Sequence, residues 1–344
     1  MSAPVSSAAA FAQPSSTVFV IGTAVMVALF ALAPLLGVYP VFLMKVMCFA
    51  LFACAFNLLL GYGGLLSFGH AMFLGTAGYV SAHAAKAWGL TPELAILSGT
   101  AAAALLGIVV GALAIRRQGI YFAMITLAIA QMVYFFYLQT PFTHGEDGIQ
   151  AVPRGALFGL FDLSDTADPT HPGKTNSSLV MYYFVLAIFV GAFLLIHRVI
   201  HSPFGNVLKA IRENEPRALS LGYDAERYKL LAFVLSATLS GLAGATKAIV
   251  FQLASLTDVQ WQMSGEVVLM TLLGGMGTIF GPVVGAFVII GIENYLSAGI
   301  TLFGVTFGAQ WVTVITGFIF VVCVLAFRRG IVGELGAWWA RRNA

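Results

Sequence analysis

A small set of ionisable side chains lies inside otherwise apolar runs of this sequence: Lys45, His70, His83, Lys86, Lys247, Glu266 and Glu293. At membrane depth such groups are costly, so each marks a solute route, a proton relay or a buried pair. No pair stands at a spacing that demands a relay, and no Ser/His/Asp or paired-carboxylate arrangement suggests hydrolysis. Lys45 and Lys86 sit where a long stem can carry the ammonium to an interface. His70, within Ser67-Phe68-Gly69-His70, has two readings: it lines a route, or it donates a hydrogen bond that fixes a break in a helix. Glu266 and Glu293 face a cavity or are satisfied near an interface. Asn57, Ser67 and Tyr79 complete the candidate translocation set, with Thr126 and Gln131 as weaker members.

Other patterns fail as sites. Pro172-Gly173-Lys174-Thr175 has the end of a phosphate-binding loop, but Asp168 stands where the leading glycine belongs and no buried strand precedes it. The chain is therefore expected to be no enzyme and to bind no ATP, cofactor or metal itself. Asn176-Ser177-Ser178 is a formal glycosylation sequon. Cys48, Cys54 and Cys323 all fall in apolar runs, which points to buried packing rather than a disulfide framework.

The elements that must position these residues are set by composition. Of 344 residues, 60% are hydrophobic and 9% charged. A soluble domain carries roughly 25% charged residues, so the chain reads as an all-α integral membrane protein. Runs near 18–36, 41–60, 64–85, 93–115, 119–138, 179–200, 229–251, 259–276, 281–299 and 310–327 give about ten transmembrane helices, at about 20 apolar residues each. Residues 1–17 carry no Lys or Arg, so they lack the basic start of a cleaved signal peptide, and the first run is expected to be a retained span. Residues 18–327 then form a single membrane domain between an N-terminal tail, 1–17, and a basic tail, 328–344.

Lys and Arg in the loops give the orientation. Arg116 and Arg117, the segment 198–229 and the tail with Arg328, Arg329, Arg341 and Arg342 are basic. The loop 139–178 instead holds Glu146, Asp147, Asp162, Asp165 and Asp168 against Arg154 and Lys174. The basic regions are expected on the cytoplasmic side, the 139–178 loop outside and both termini inside. The span count has the parity this requires. The modest net charge of +3 is clustered and implies no nucleic acid.

Glycine occurs 37 times. Gly277, Gly281 and Gly285 stand four apart, as do Gly107 and Gly111, a spacing that lets helix backbones approach closely in lipid. The Gly-rich stretches also read as broken helices lining a pathway. Gly63 to Gly69 and Gly274 to Gly281 resemble each other, a weak trace of an internal repeat.

The loop 201–228 is the most informative stretch. Asn214 suits a helix N-cap, Pro216 a first turn and Gly222 a stop, giving a short helix near 215–221. Such a stiff, charged helix between spans can dock in a groove of a cytoplasmic partner. Arg212, Glu213, Glu215 and Arg217 would supply polar contacts, and Leu219 and Leu221 an apolar anchor.

This loop resembles the coupling loop of the branched-chain amino acid permeases of bacterial ABC importers, of the LivM type. The stretches Asn57 to His70, Arg212-Glu213-Asn214-Glu215, Leu239-Ser240-Gly241-Leu242-Ala243-Gly244 and Leu273 to Pro282 match the family's pattern in order and spacing. One departure is Thr143-His144-Gly145-Glu146-Asp147-Gly148, where His144 replaces the first of two glycines. The resemblance implies a bacterial inner-membrane complex with a second, similar permease subunit, two cytoplasmic ATPases that bind the ATP, and a periplasmic binding protein. The implied solutes are branched-chain or related amino acids, with urea and short amides as family alternatives. An ion-coupled secondary transporter is the competing class, since it too uses broken helices.

Overall fold

Helix starts follow the sequence's own signals. Pro40, Pro92 and Pro203 each occupy the first turn of a helix, after the extended residues Tyr39, Thr91 and Ser202, where a missing N–H leaves no bond unmade. The computed structural model describes residues 16–157, 159, 161–162, 177–297, 300–302, 305–307, 314, 317–318, 321 and 330–334. Among these the helices are α1 (Ser16–Leu32), α2 (Pro40–Asn57), α3 (His70–Lys86), α4 (Pro92–Ala114), α5 (Ile120–Gln139), α6 (Ser177–His201), α7 (Pro203–Glu213), α8 (Glu215–Ser220), α9 (Ala225–Phe251), α10 (Trp261–Gly274) and α11 (Gly281–Ser297). Pairs of two- or three-residue strands join loops: β1 (Ile149–Gln150) with β4 (Leu253–Ala254), β2 (Ala156–Leu157) with β3 (Phe161–Asp162), and β5 (Ile300–Leu302) with β6 (Val305–Phe307).

Every apolar run except the last coincides with one of these helices. Five are long and apolar enough to cross a membrane: Pro40–Tyr62, Pro92–Ala114, Ile120–Gln139, Leu179–His201 and Ala225–Phe251. Phe19–Leu32 and Gly281–Leu296 are shorter apolar helices. Two expected spans need correction. The run expected over 64–85 begins its helix only at His70. In the run expected over 259–276 the helix has 14 residues, about 21 Å at 1.5 Å per residue, shorter than a hydrocarbon core of about 30 Å. The preceding segment is folded into the protein instead, with Val259 fully buried at Gly75. The run 310–327, the tails 1–15 and 335–344, Cys323, Lys174 and the Pro172–Asn176 motifs lie outside the described residues or among their scattered members.

Contacts sort the loops into two ends. At one end, Gln118 reaches Glu215, Arg212 reaches Gly61, and Gly330 packs on Gly275. At the other, Lys86 bonds Gln150, Arg154 bonds Val250, and β1 pairs with β4. The basic loops around 116–117 and 202–229 thus share one end, and the described part of 139–157 lies at the opposite one.

Small residues hold the centre together. A Cβ on Gly244 would overlap the Leu74 backbone, one on Gly241 would overlap Ala103, and one on Gly107 would lie 2.7 Å from the Ala237 methyl. Helices α3, α4 and α9 therefore approach backbone to backbone, which replaces the hydrophobic drive that lipid removes. Gly281 and Gly285 do the same for α11 on α10, against Gly274 and Met270. Gly277 is not on that helix but in the turn before it, at φ +78°, so the run of four-residue steps is helical only from Gly281. Gly281→Leu is expected to lower yield and melting temperature of the purified protein more than it alters solute preference. Its side chain would start 2.6 Å from the Gly275 carbonyl oxygen, and overpacking against backbone costs about 1–3 kcal/mol or more. A variant with wild-type yield and melting temperature would remove this packing role.

Candidate functional site

Helix α2 ends irregularly at the basic end. Its last turn is the π-helical Leu58–Tyr62, a form that marks functional sites when it interrupts an α-helix. Next comes Gly64 at φ +69°, a conformation open mainly to glycine. The fully buried stem brings Asn57 to the turn between α10 and α11. There its Nδ2 donates to the Thr278 carbonyl at 2.9 Å, and its Oδ1 accepts from Gly277 N–H at 2.9 Å. One amide thus joins the two Gly-rich stretches. Gly61 makes room for it, because a Cβ there would overlap the Asn57 side chain.

An elbow of two helices lies against this joint. Helix α7 was expected to be loop, and here the structure corrects the sequence reading. The Ser202 hydroxyl accepts from Gly205 N–H at 3.3 Å, Pro203 fills the first turn, and Leu208 and Ile211 are buried along one face. Phe204 stacks on Tyr228 with centroids 5.5 Å apart. Asn214, extended at φ −156°, ends α7 and caps α8 by accepting from Arg217 N–H at 3.1 Å. Pro216 sits in the first turn. Gly222, at φ +88°, closes α8: its N–H bonds Leu219 at 2.9 Å and Tyr223 N–H bonds Ala218 at 3.2 Å. This is the paired bonding of a glycine-terminated helix.

The elbow is bolted to the joint. Arg212 donates to the Gly61 carbonyl and lays its stem on Gly64. Lys209 sits 5.7 Å from the centroid of the Tyr62 ring, and Leu208 packs over Gly63. Burial holds both the Lys209 ammonium and the Arg212 guanidinium below their ordinary ranges, with Glu213 and Tyr62 opposing this for Arg212. Glu215 turns inward to Lys229 at 2.6 Å and accepts from Gln118 at 3.1 Å, so it is not the outward contact that the sequence suggested. Glu213, Pro216 and Arg217 face solvent, and Leu219, Leu221 and Tyr223 are 52%, 69% and 40% exposed. Beneath the elbow lies a cavity of about 410 Å³ bounded by the π turn, Gln118, Arg212, Glu215, Lys229 and Met276.

The remaining candidates occupy other surroundings. His70 is fully buried, with the rings of Phe56, Phe73 and Phe233 edge-on at 5.0, 5.5 and 5.9 Å. Its Nε2 lies 2.9 Å from Ser236 Oγ, whose own proton goes to the Ala55 carbonyl at 2.6 Å, so Nε2 is the donor. Ser67 Oγ accepts from Gly69 N–H at 3.3 Å. These bonds hold the break before α3. Tyr79, also fully buried, stacks on Tyr137 at 4.9 Å.

Toward the end that holds 139–157, charges from four helices and one turn converge. Lys45 pairs with Glu293 at 3.5 Å and Lys247 pairs with Asp258. Both ammonium groups flank the Phe49 ring, at 5.8 and 5.3 Å. Glu266 lies in the field of Glu293, Lys45 and Lys247. Asp258 was not foreseen, because it falls in the short connection between the runs 229–251 and 259–276, where a charge is ordinary. Lys247→Met should destabilise the protein by about 3–5 kcal/mol, since it strands a buried carboxylate. Lys247→Met/Asp258→Leu should recover much of that, as read by melting temperature in detergent. Equal losses in the single and double variants would show that the pair is not what holds the turn. At this end His144 adopts the left-handed conformation, φ 58°, where glycine is the ordinary occupant and histidine is among the tolerated exceptions.

Comparison with known proteins gives one family. The family described as branched-chain amino acid transport system / permease component matches residues 38–324. The chain is 28% identical over 261 residues to the high-affinity branched-chain amino acid transport system permease protein LivM of Escherichia coli (strain K12), covering 71% of this chain and 60% of that protein. It is 29% identical over 260 residues to the LivM protein of Salmonella typhimurium, with the same coverage of 71% and 60%. The probable permease LivH of Methanocaldococcus jannaschii is 28% identical over 122 residues, 34% of this chain and 35% of that protein. The chain thus spans about 60% of the length of the LivM relatives. No solved structure matches it.

Proposed function

We propose, given that this chain belongs to the branched-chain amino acid transport system / permease component family, that it is a membrane-spanning subunit of an ATP-driven importer in a bacterial inner membrane. Its solutes are branched-chain or related apolar amino acids, delivered by a periplasmic binding protein. A second permease subunit completes the pathway, and two cytoplasmic ATPases bind and hydrolyse the ATP.

The observation that carries this reading is the elbow. Its inner face is tied to the first Gly-rich turn through Arg212 and to α9 through Glu215 and Lys229, and Asn57 ties the end of α2 to the second Gly-rich turn. Its outer face leaves Arg217, Leu219, Leu221 and Tyr223 exposed on a stiff, doubly capped helix. An apolar anchor beside charged groups is suited to a protein groove. A push on α8 would reach the ends of α2 and α10 through named hydrogen bonds rather than through a flexible linker. The transported solute would pass along Asn57, Ser67, His70, Tyr79, Glu266 and Glu293 only in a conformation that opens these packed surroundings.

The reading requires the basic end to be cytoplasmic. A cysteine at 209 should react with a membrane-impermeant maleimide only after the cells are opened, and one at 174, or at the exposed position 153 beside Arg154, should react in intact cells. Labelling of 209 from outside would reverse the topology and remove the coupling role. Tagged permease co-expressed with two candidate ATPases should also retain them through purification, and recovery of the permease alone would count against the complex.

A further inference from the structure

The cavity under the elbow has two unlike walls. Leu65, Ile211 and Met276 form an apolar side, and Arg212, Glu215 and Lys229 a charged one. At about 410 Å³ it falls in the ordinary range of small-molecule sites, roughly 300–1,000 Å³. The charged wall has both signs. Gln118 and Lys229 both bond Oε1 of Glu215, which leaves the second oxygen of that carboxylate for a cationic group. Lys229 has three N–H donors and gives one of them to Glu215.

We propose that this cavity binds a free amino acid with an apolar side chain from the cytoplasmic side, and that occupancy restrains the elbow. The inference rests on the reading of the chain as an amino-acid permease. The solute's ammonium meets Glu215, its carboxylate meets Lys229 and Arg212, and its side chain lies on Leu65, Ile211 and Met276. A simple anion would face the Glu215 carboxylate, and an acyl chain would lay hydrocarbon against the charged groups of Arg212, Glu215 and Lys229, which is unfavourable. The walls come from separate elements: the turn after α2, the elbow, α9 and the α10–α11 turn. A ligand that bridges them stabilises this one arrangement, and it must leave before the elbow can move against the turns. Accumulated product would then slow its own import.

The test uses the full complex in proteoliposomes, with ATP in the lumen and loaded binding protein outside. The lumen is preloaded with unlabelled leucine, with 4-methylpentanoate, which lacks the ammonium, or with 3-methylbutylamine, which lacks the carboxylate. Lumenal leucine should lower the initial rate of labelled leucine uptake several-fold, and neither analogue should. Met276→Ser withdraws an apolar contact from an exposed position without filling the cavity and should weaken the inhibition several-fold while uptake continues. Uptake that proceeds at the same rate with and without lumenal leucine overturns this inference and leaves the permease reading intact. Absence of uptake in every arm counts against the permease reading. In that event calorimetric titration of leucine into the solubilised permease decides the site: binding weakened in Met276→Ser supports it, and no binding overturns it.

Discussion

Replacing residues 214–218 with a flexible Gly/Ser stretch should leave the protein inserted in the membrane and reduce solute uptake to background. The apolar runs that direct insertion are untouched, because Asn214 to Ala218 lie outside every helix long enough to span. What is lost is stiffness and attachment together. Asn214 no longer caps α8, Pro216 no longer pre-sets its first turn, and Glu215 no longer holds Lys229 and Gln118. Lys229 is nearly buried, its side chain 8% exposed, and breaking a buried pair strands a charge. The exposed anchor at Leu219 and Leu221 would then hang on a chain that transmits no displacement. ATPase pull-down and uptake in proteoliposomes read the two losses separately. A variant that binds the ATPases and transports at the wild-type rate would make the elbow only a connector.

Asn57→Ala should uncouple ATP hydrolysis from uptake. The side chain is 3% exposed and makes both bonds that join the turn after α2 to the turn before α11. Its removal leaves a backbone N–H and a carbonyl unpaired, at about 1–3 kcal/mol each when buried. Interhelical hydrogen bonds in membranes average nearer 0.6 kcal/mol, and both partners here are only half-buried, so the lower figure governs and the protein should still fold. The functional loss should exceed the loss of stability, because motion passed from Arg212 to Gly61 no longer reaches Gly277 and Thr278. Asn57→Asp keeps the acceptor for Gly277 N–H and should retain part of the transport. Wild-type uptake per ATP hydrolysed in Asn57→Ala would show that the clamp carries no motion.

Much of this arrangement was legible in the sequence, and the reasons differ by element. The short helix with its Asn214 cap and Gly222 stop could be read because capping is local chemistry between neighbours. The apolar runs could be read because lipid forces backbone bonds to close within a segment. The signal for α7 was also local, with Ser202, Pro203 and apolar residues at 204, 207, 208 and 211, but it stands beside a stronger loop signal of charges. What could not be read depends on distant partners. Asn57 finds Thr278 across 221 positions and Lys45 finds Glu293 across 248. The inward turn of Glu215 depends on Lys229 and Gln118. The late start of α3 and the shortness of α10 follow from segments folded against other helices, which hydropathy alone counts as span.

The central claim is that this chain transports solute by coupling to ATPases that it does not itself contain. The direct measurement is uptake of labelled leucine by proteoliposomes holding this chain, its companion permease and the ATPases, with the binding protein outside. The account predicts accumulation that requires lumenal ATP hydrolysis and the binding protein, and that persists when ion gradients are collapsed. Accumulation by this chain without the ATPases, driven by a proton or sodium gradient, would contradict it.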